Sequence, residues 1–245
     1  AQIGQDQHAS DESLRKAAEQ AETNFLGSQH PHRHIATRLR AAGFYVNEGE
    51  LAEGRVVPQF FHLFPAWIGL LTALLGMHGG LLATSLMGWL GVWSVGMLGR
   101  RLAGTAVGVI GMLLLALNGV QVWFSRYSTS EATVQFLGFA GLYAFAVMVS
   151  ERNHSHNTQP GRLDRASVAA LLAGLAFGQV ALSRIDFVLI VGPALAYLGY
   201  IWLTRRWARI HTWMSVGLGA MLVHAALHVV FIARAYFFDT LSARL

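Results

Sequence analysis

Residues 81–99 read LLATSLMGWLGVWSVGMLG, and beyond Arg100 and Arg101 residues 105–124 read TAVGVIGMLLLALNGVQVWF. Each run is close to the roughly 20 apolar residues with which a helix crosses about 30 Å of hydrocarbon. Four more such runs follow at 132–149, 166–182, 187–203 and 213–233. Backbone amides in lipid must be satisfied within the segment, and the period-two alternation of a closed barrel is absent from these runs. The sequence therefore predicts an all-α fold, a polytopic transmembrane bundle with about six spanning helices.

The loops between the runs alternate in charge. Arg100, Arg101, Arg152, Arg162, Arg165, Arg205, Arg206 and Arg209 fall on one side, and Arg126, Arg184 and Arg234 on the other. Basic residues are retained in the cytoplasm during insertion, so the first group marks the cytoplasmic face. Ser125–Glu131, Ser183–Asp186 and Arg234–Asp239 are then expected outside. The net charge of +5 thus reports topology, because it is dispersed over loops and forms no contiguous basic stripe for nucleic acid.

Composition agrees with this class. The 245 residues are 54% hydrophobic and 13% charged, and they include no cysteine, which excludes disulfides, thiolate catalysis and cysteine-ligated metal centres. Residues 1–57 differ, holding eight of the thirteen acidic and six of the eighteen basic side chains. They are expected to form a polar extramembrane segment, with residues 58–245 as the transmembrane domain. No basic n-region or short apolar h-region opens the chain, so no signal peptide is expected in it. Ser10 is placed to cap an amphipathic helix whose apolar face carries Leu14, Ala17, Ala18, Ala21 and Phe25.

Phe60–Gly76 is expected to be an interfacial or re-entrant helix, interrupted by Pro65 and followed by a Met77–Gly80 loop. It enters and leaves on one side if residues 1–57 are extracytoplasmic, and crosses if they are cytoplasmic. Gly104/Gly108 and Gly174/Gly178 repeat at the four-residue spacing that lets membrane helices approach closely.

Ionisable groups at membrane helix ends cost free energy unless they are paired, hydrated or used. The predicted outer face gathers Arg126, Tyr127 and Glu131, then Arg184 and Asp186, then Arg234, Tyr236 and Asp239. Arginine forks bind phosphate bidentately, and a neighbouring carboxylate can take a proton from an acceptor hydroxyl, so a lipid-phosphate substrate suits such a site. The bland alternative is a set of boundary ion pairs and snorkelling helix ends.

Pro58-Gln59-Phe60-Phe61-His62-Leu63-Phe64-Pro65, Gly99-Arg100-Arg101-Leu102-Ala103-Gly104, Ser125-Arg126-Tyr127-Ser128-Thr129-Ser130-Glu131, Ser183-Arg184-Ile185-Asp186 and Tyr236-Phe237-Phe238-Asp239 together resemble bacterial GT-C class membrane glycosyltransferases. The similarity is to the branch of protein O-mannosyltransferase-like and aminoarabinose-transferase-like enzymes, over roughly residues 40–240. It implies transfer of a sugar, with inversion, from a polyprenyl-phosphate donor to an extracytoplasmic acceptor at the bacterial cytoplasmic membrane.

By the same resemblance, Arg126, Arg184 and Arg234 hold the lipid phosphate. Asp11, Asp6 and Glu12 are the early acids available as base, while Glu131, Asp186, Asp239, Tyr127 and His62 support them. The expected partners are a lipid-linked sugar donor, membrane lipids and other membrane subunits, with no nucleic acid. No cofactor is implied, and a divalent metal is left open. The family's acidic motif follows a first membrane helix with which this chain does not begin, and its members run longer, so a fragment or reduced relative is expected.

Other classes compete. A noncatalytic accessory subunit would keep such a bundle without its chemistry. His224 and His228, four apart in the last run, have the spacing of a b-type haem anchor if a partner histidine lies at matching depth. His30, His32 and His34 with His154 and His156 are zinc-ligand types, but the predicted topology separates the two groups. A transporter would need mid-span ionisable groups or an inverted repeat, and neither stands out.

Overall fold

In the computed structural model, residues 62–127, 129–151 and 164–232 are described, Ile185 by its backbone alone, together with the backbone of three preceding strands. The chain divides into two compact units, Ala1–Val57 and Pro58–Leu245.

The strands are β1 (Arg38–Ala41), β2 (Phe44–Asn47) and β3 (Val56–Pro58), in the sheet order β1-β2-β3. β1 and β2 pair antiparallel with Arg38 opposite Asn47 and Ala41 opposite Phe44. The all-α expectation holds for the described residues from 62 onward, and the three short strands before them were not expected. Phe44-Tyr45-Val46 and Val56-Val57 are aromatic and β-branched, residue types that fit a pleated surface better than a helix. The helix expected after Ser10 lies outside the described residues.

The second unit is helical throughout its described part: α1 (Leu63–Ala103), α2 (Thr105–Ala116), α3 (Gly119–Phe124), α4 (Glu131–Glu151), α5 (Arg165–Gln179), α6 (Val188–Leu203) and α7 (Arg209–Phe231). Short 3₁₀ turns at Val180–Leu182 and Ile185–Phe187 join α5 to α6. These helices fall on the six apolar runs in order. Four are long and apolar enough to cross a membrane: α1, α4, α5 continued to Leu182, and α7.

The remaining two runs are shorter than expected for physical reasons. α2 has 12 residues, about 18 Å at 1.5 Å per residue. It stops before Asn118, whose side chain accepts from the Val120 and Gln121 amides and starts a new helix there. α6 has 16 residues and contains Pro193. It ends at Leu203, and Arg205 beyond it takes φ of 55° so that the Arg206 amide can reach the Ile201 carbonyl.

α1 also corrects the expected interruption at Pro65. That proline sits in the first turn, where its missing N–H costs nothing, and helix continues past it. The break is at Gly76, with φ 71° and ψ −166°. A Cβ on Gly79 would lie 3.1 Å from the Leu71 carbonyl carbon, although eight residues of straight helix span about 12 Å. The Leu63–Leu75 arm thus folds back sharply, and helix resumes at Met77 without the expected loop.

The core lies where α4, α5, α6 and α7 meet, around Met148, Ala170, Ala173, Met214 and Leu218. Small residues set the spacing. A Cβ on Gly217 of α7 would lie 2.5 Å from the Leu171 carbonyl oxygen of α5, and one on Gly178 2.5 Å from Met221 Cβ. Gly108 likewise abuts Gly96 across the α1/α2 contact. Gly104 departs from the expected packing role, since nothing lies within 4 Å of its Cβ position and its φ of 95° makes it the joint between α1 and α2. Large apolar side chains such as Leu74, Leu117, Leu203 and Phe231 point outward, as lipid-facing surfaces require.

Charge pairs close the bundle at both ends. At one, Arg101 donates to the Ser150 hydroxyl and to Glu151, 3.3 Å away, which also meets Arg165 at 3.8 Å. At the other, Arg184 meets Glu131.

Candidate functional site

The site grows from the break between α5 and α6. Arg184 is extended, at φ −149° and ψ 150°, between the two 3₁₀ turns. Its Nε donates to Asp186 Oδ1 at 2.8 Å and one terminal nitrogen donates to Glu131 Oε1 at 2.5 Å. Glu131 opens α4, where the helix dipole favours a carboxylate. The hydrogen bond to Asp186, with the charges of both carboxylates, raises the Arg184 pKa above its ordinary value despite partial burial.

All three side chains stand at one end of a cavity of about 750 Å³. This volume falls within the range of small-molecule sites, about 300–1,000 Å³. Its walls are mostly apolar, with Phe139, Leu142 and Phe145 from α4, Phe177 from α5, and Leu189, Ile190 and Pro193 from α6. Gln135 adds a polar group near the charged end, and Tyr197 lines the wall further along α6.

Behind Tyr197 lies His211, fully buried. Its Nδ1 accepts from the Ala208 amide at 2.8 Å, which assigns the proton to Nε2, 3.2 Å from the Tyr197 hydroxyl. The arrangement is an apolar groove with a charged mouth.

The sequence-predicted residues divide into three groups. Glu131, Arg184 and Asp186 come together from two separate loops. Arg126 and Tyr127 do not line the cavity: Arg126 is exposed after α3, with no carboxylate partner among the described residues, and Tyr127 stacks on Trp123 at 4.7 Å. Asp6, Asp11, Glu12, Arg234 and Asp239 lie outside the described residues, as do His30, His32, His34, His154 and His156.

His62 packs against His228, with ring centroids 4.2 Å apart and an angle of 68°. This supplies a partner from another element, but rings in direct contact leave no room for a haem plane between them. Among the described residues no three His, Asp or Glu side chains are grouped to hold a metal ion.

Gln135, Tyr197, His211 and the groove itself were missed from sequence. A glutamine inside an apolar run was the one visible signal, because intramembrane polar groups usually face the bundle interior. No family model, curated protein or solved structure matches the chain.

Proposed function

We propose that this chain binds a polyprenyl-phosphate-linked sugar at the extracytoplasmic boundary of a bacterial cytoplasmic membrane and belongs to a GT-C-like glycosyl-transfer machinery. The observation that carries the reading is the apolar cavity with Glu131, Arg184 and Asp186 at its mouth. A polyprenyl chain would occupy the Phe139, Leu142 and Leu189 walls, and its phosphate would bind at Arg184. Transfer would break the bond between the anomeric carbon and the phosphate oxygen and form one to the acceptor hydroxyl. A carboxylate would take the hydroxyl proton, and the phosphate would leave with the electron pair.

One observation favours the alternative, a noncatalytic accessory subunit. Arg184 is already shared by two carboxylates, as a boundary ion pair would be. Binding of polyprenyl phosphate to the chain in nanodiscs separates the two readings. Saturable binding that Arg184→Ala weakens supports the donor site, with Arg126→Ala, off the cavity, as the comparison. Absence of saturable binding, or equal binding by all three proteins, leaves the accessory role.

A further inference from the structure

We infer that Glu131 is a displaceable counter-ion of Arg184, which an anionic lipid headgroup must replace to enter the groove; this rests on the lipid-phosphate reading above. A guanidinium offers a phosphate two bidentate edges. The edge that includes Nε is engaged by Asp186 at 2.8 Å, and the terminal edge is engaged by Glu131 at 2.5 Å. A phosphate that docks on either edge therefore meets a carboxylate.

The two carboxylates are not equally held. Asp186 lies two residues from Arg184 in the same loop, so it stays close whatever the guanidinium does. Glu131 comes from a different helix, 53 residues away, on a longer side chain. Its side chain is 38% exposed, so water can solvate it once it swings away. A phosphate added with both carboxylates in place would meet an anionic group at each edge of the guanidinium it must contact. Exchange of Glu131 for phosphate avoids that repulsion.

The exchange discriminates as well as binds. The walls below the mouth are apolar, so the favoured anion is one with a hydrocarbon tail, and a free phosphate gains nothing from them.

Polyprenyl monophosphate titrated into nanodiscs of the whole chain and of its Glu131→Gln, Glu131→Asp, Asp186→Asn and Arg184→Gln variants tests this, with inorganic phosphate as competitor. The expected result is a Kd tightened about two- to fivefold in Glu131→Gln, the worth of a half-exposed ion pair, and binding lost in Arg184→Gln. Glu131→Asp, with a shorter reach to Arg184, moves the same way, and inorganic phosphate at equal concentration does not compete. Arg184-dependent binding that is unchanged or weaker in Glu131→Gln overturns the counter-ion role and leaves the lipid-phosphate site standing. No saturable binding by the parent chain or by Glu131→Gln overturns both, and full competition by inorganic phosphate overturns the lipid as the source of the anion.

Discussion

His62, just ahead of α1, meets His228 near the end of α7 edge on, with ring centroids 4.2 Å apart and His62 Nδ1 and His228 Nε2 buried without a hydrogen-bond partner among the described residues. Burial holds the His62 pKa below the ordinary imidazole value, so the folded protein keeps this ring neutral. Between the ordinary value of about 6.5 and the lowered folded value, the unfolded chain binds the proton and the folded one does not. Stability is therefore full above about pH 6.5 and falls as pH drops through that window. Melting temperatures in detergent at several pH values should decline more steeply for the parent chain than for His62→Gln; parallel declines would show that His62 is not responsible.

The helices were legible because apolar length is a local property, and the six runs appear at the expected positions. Their interruptions were less so. Pro65 was the expected interruption and Gly76 only the end of its segment, yet a proline in the first turn is harmless while a glycine at positive φ permits a reversal. Glu131, Arg184 and Asp186 could be grouped from loop parity and charge alone. The groove beneath them could not, since it depends on how α4 side chains sit against α6, and the contact between Tyr197 and His211 joins two helices whose apolar patterns do not mark it.

Gly217 sets the crossing of α5 and α7. A Cβ there would meet the Leu171 carbonyl oxygen at 2.5 Å and the Leu175 amide nitrogen at 2.9 Å, backbone atoms that cannot rotate away. Gly217→Ala should destabilise by about 1–3 kcal/mol, as overpacking does. Gly219, with nothing within 4 Å, is the control: Gly219→Ala should match or slightly exceed the parent in thermal melts, because alanine is the better helix former.

His211 joins the start of α7 to Tyr197 of α6. Replacing it with leucine removes the acceptor of the Ala208 amide and leaves the Tyr197 hydroxyl without that partner. A buried polar group stripped of its hydrogen bond costs about 1–3 kcal/mol. His211→Leu should therefore lower stability by roughly that amount, and Tyr197→Phe by less, about 0.5–1.5 kcal/mol. A larger loss in Tyr197→Phe would reverse the assigned order of importance.

Gly138 offers a way to fill the groove without touching the charges at its mouth. It lines the cavity from α4, and a Cβ at that position would approach only the Ile190 methyl, at 3.6 Å, an ordinary contact. A phenylalanine ring there can extend into the space that the proposed polyprenyl chain needs. Gly138→Phe is therefore expected to retain the parent's melting temperature within a few degrees while losing most polyprenyl-phosphate affinity. The loss should be at least about tenfold if two or more methylenes are excluded, at about 0.8 kcal/mol each. Because Glu131, Arg184 and Asp186 are unaltered, such a loss would assign the affinity to the hydrocarbon walls. Undiminished binding in a folded Gly138→Phe variant would place the lipid elsewhere and leave the charged cluster as a boundary ion pair.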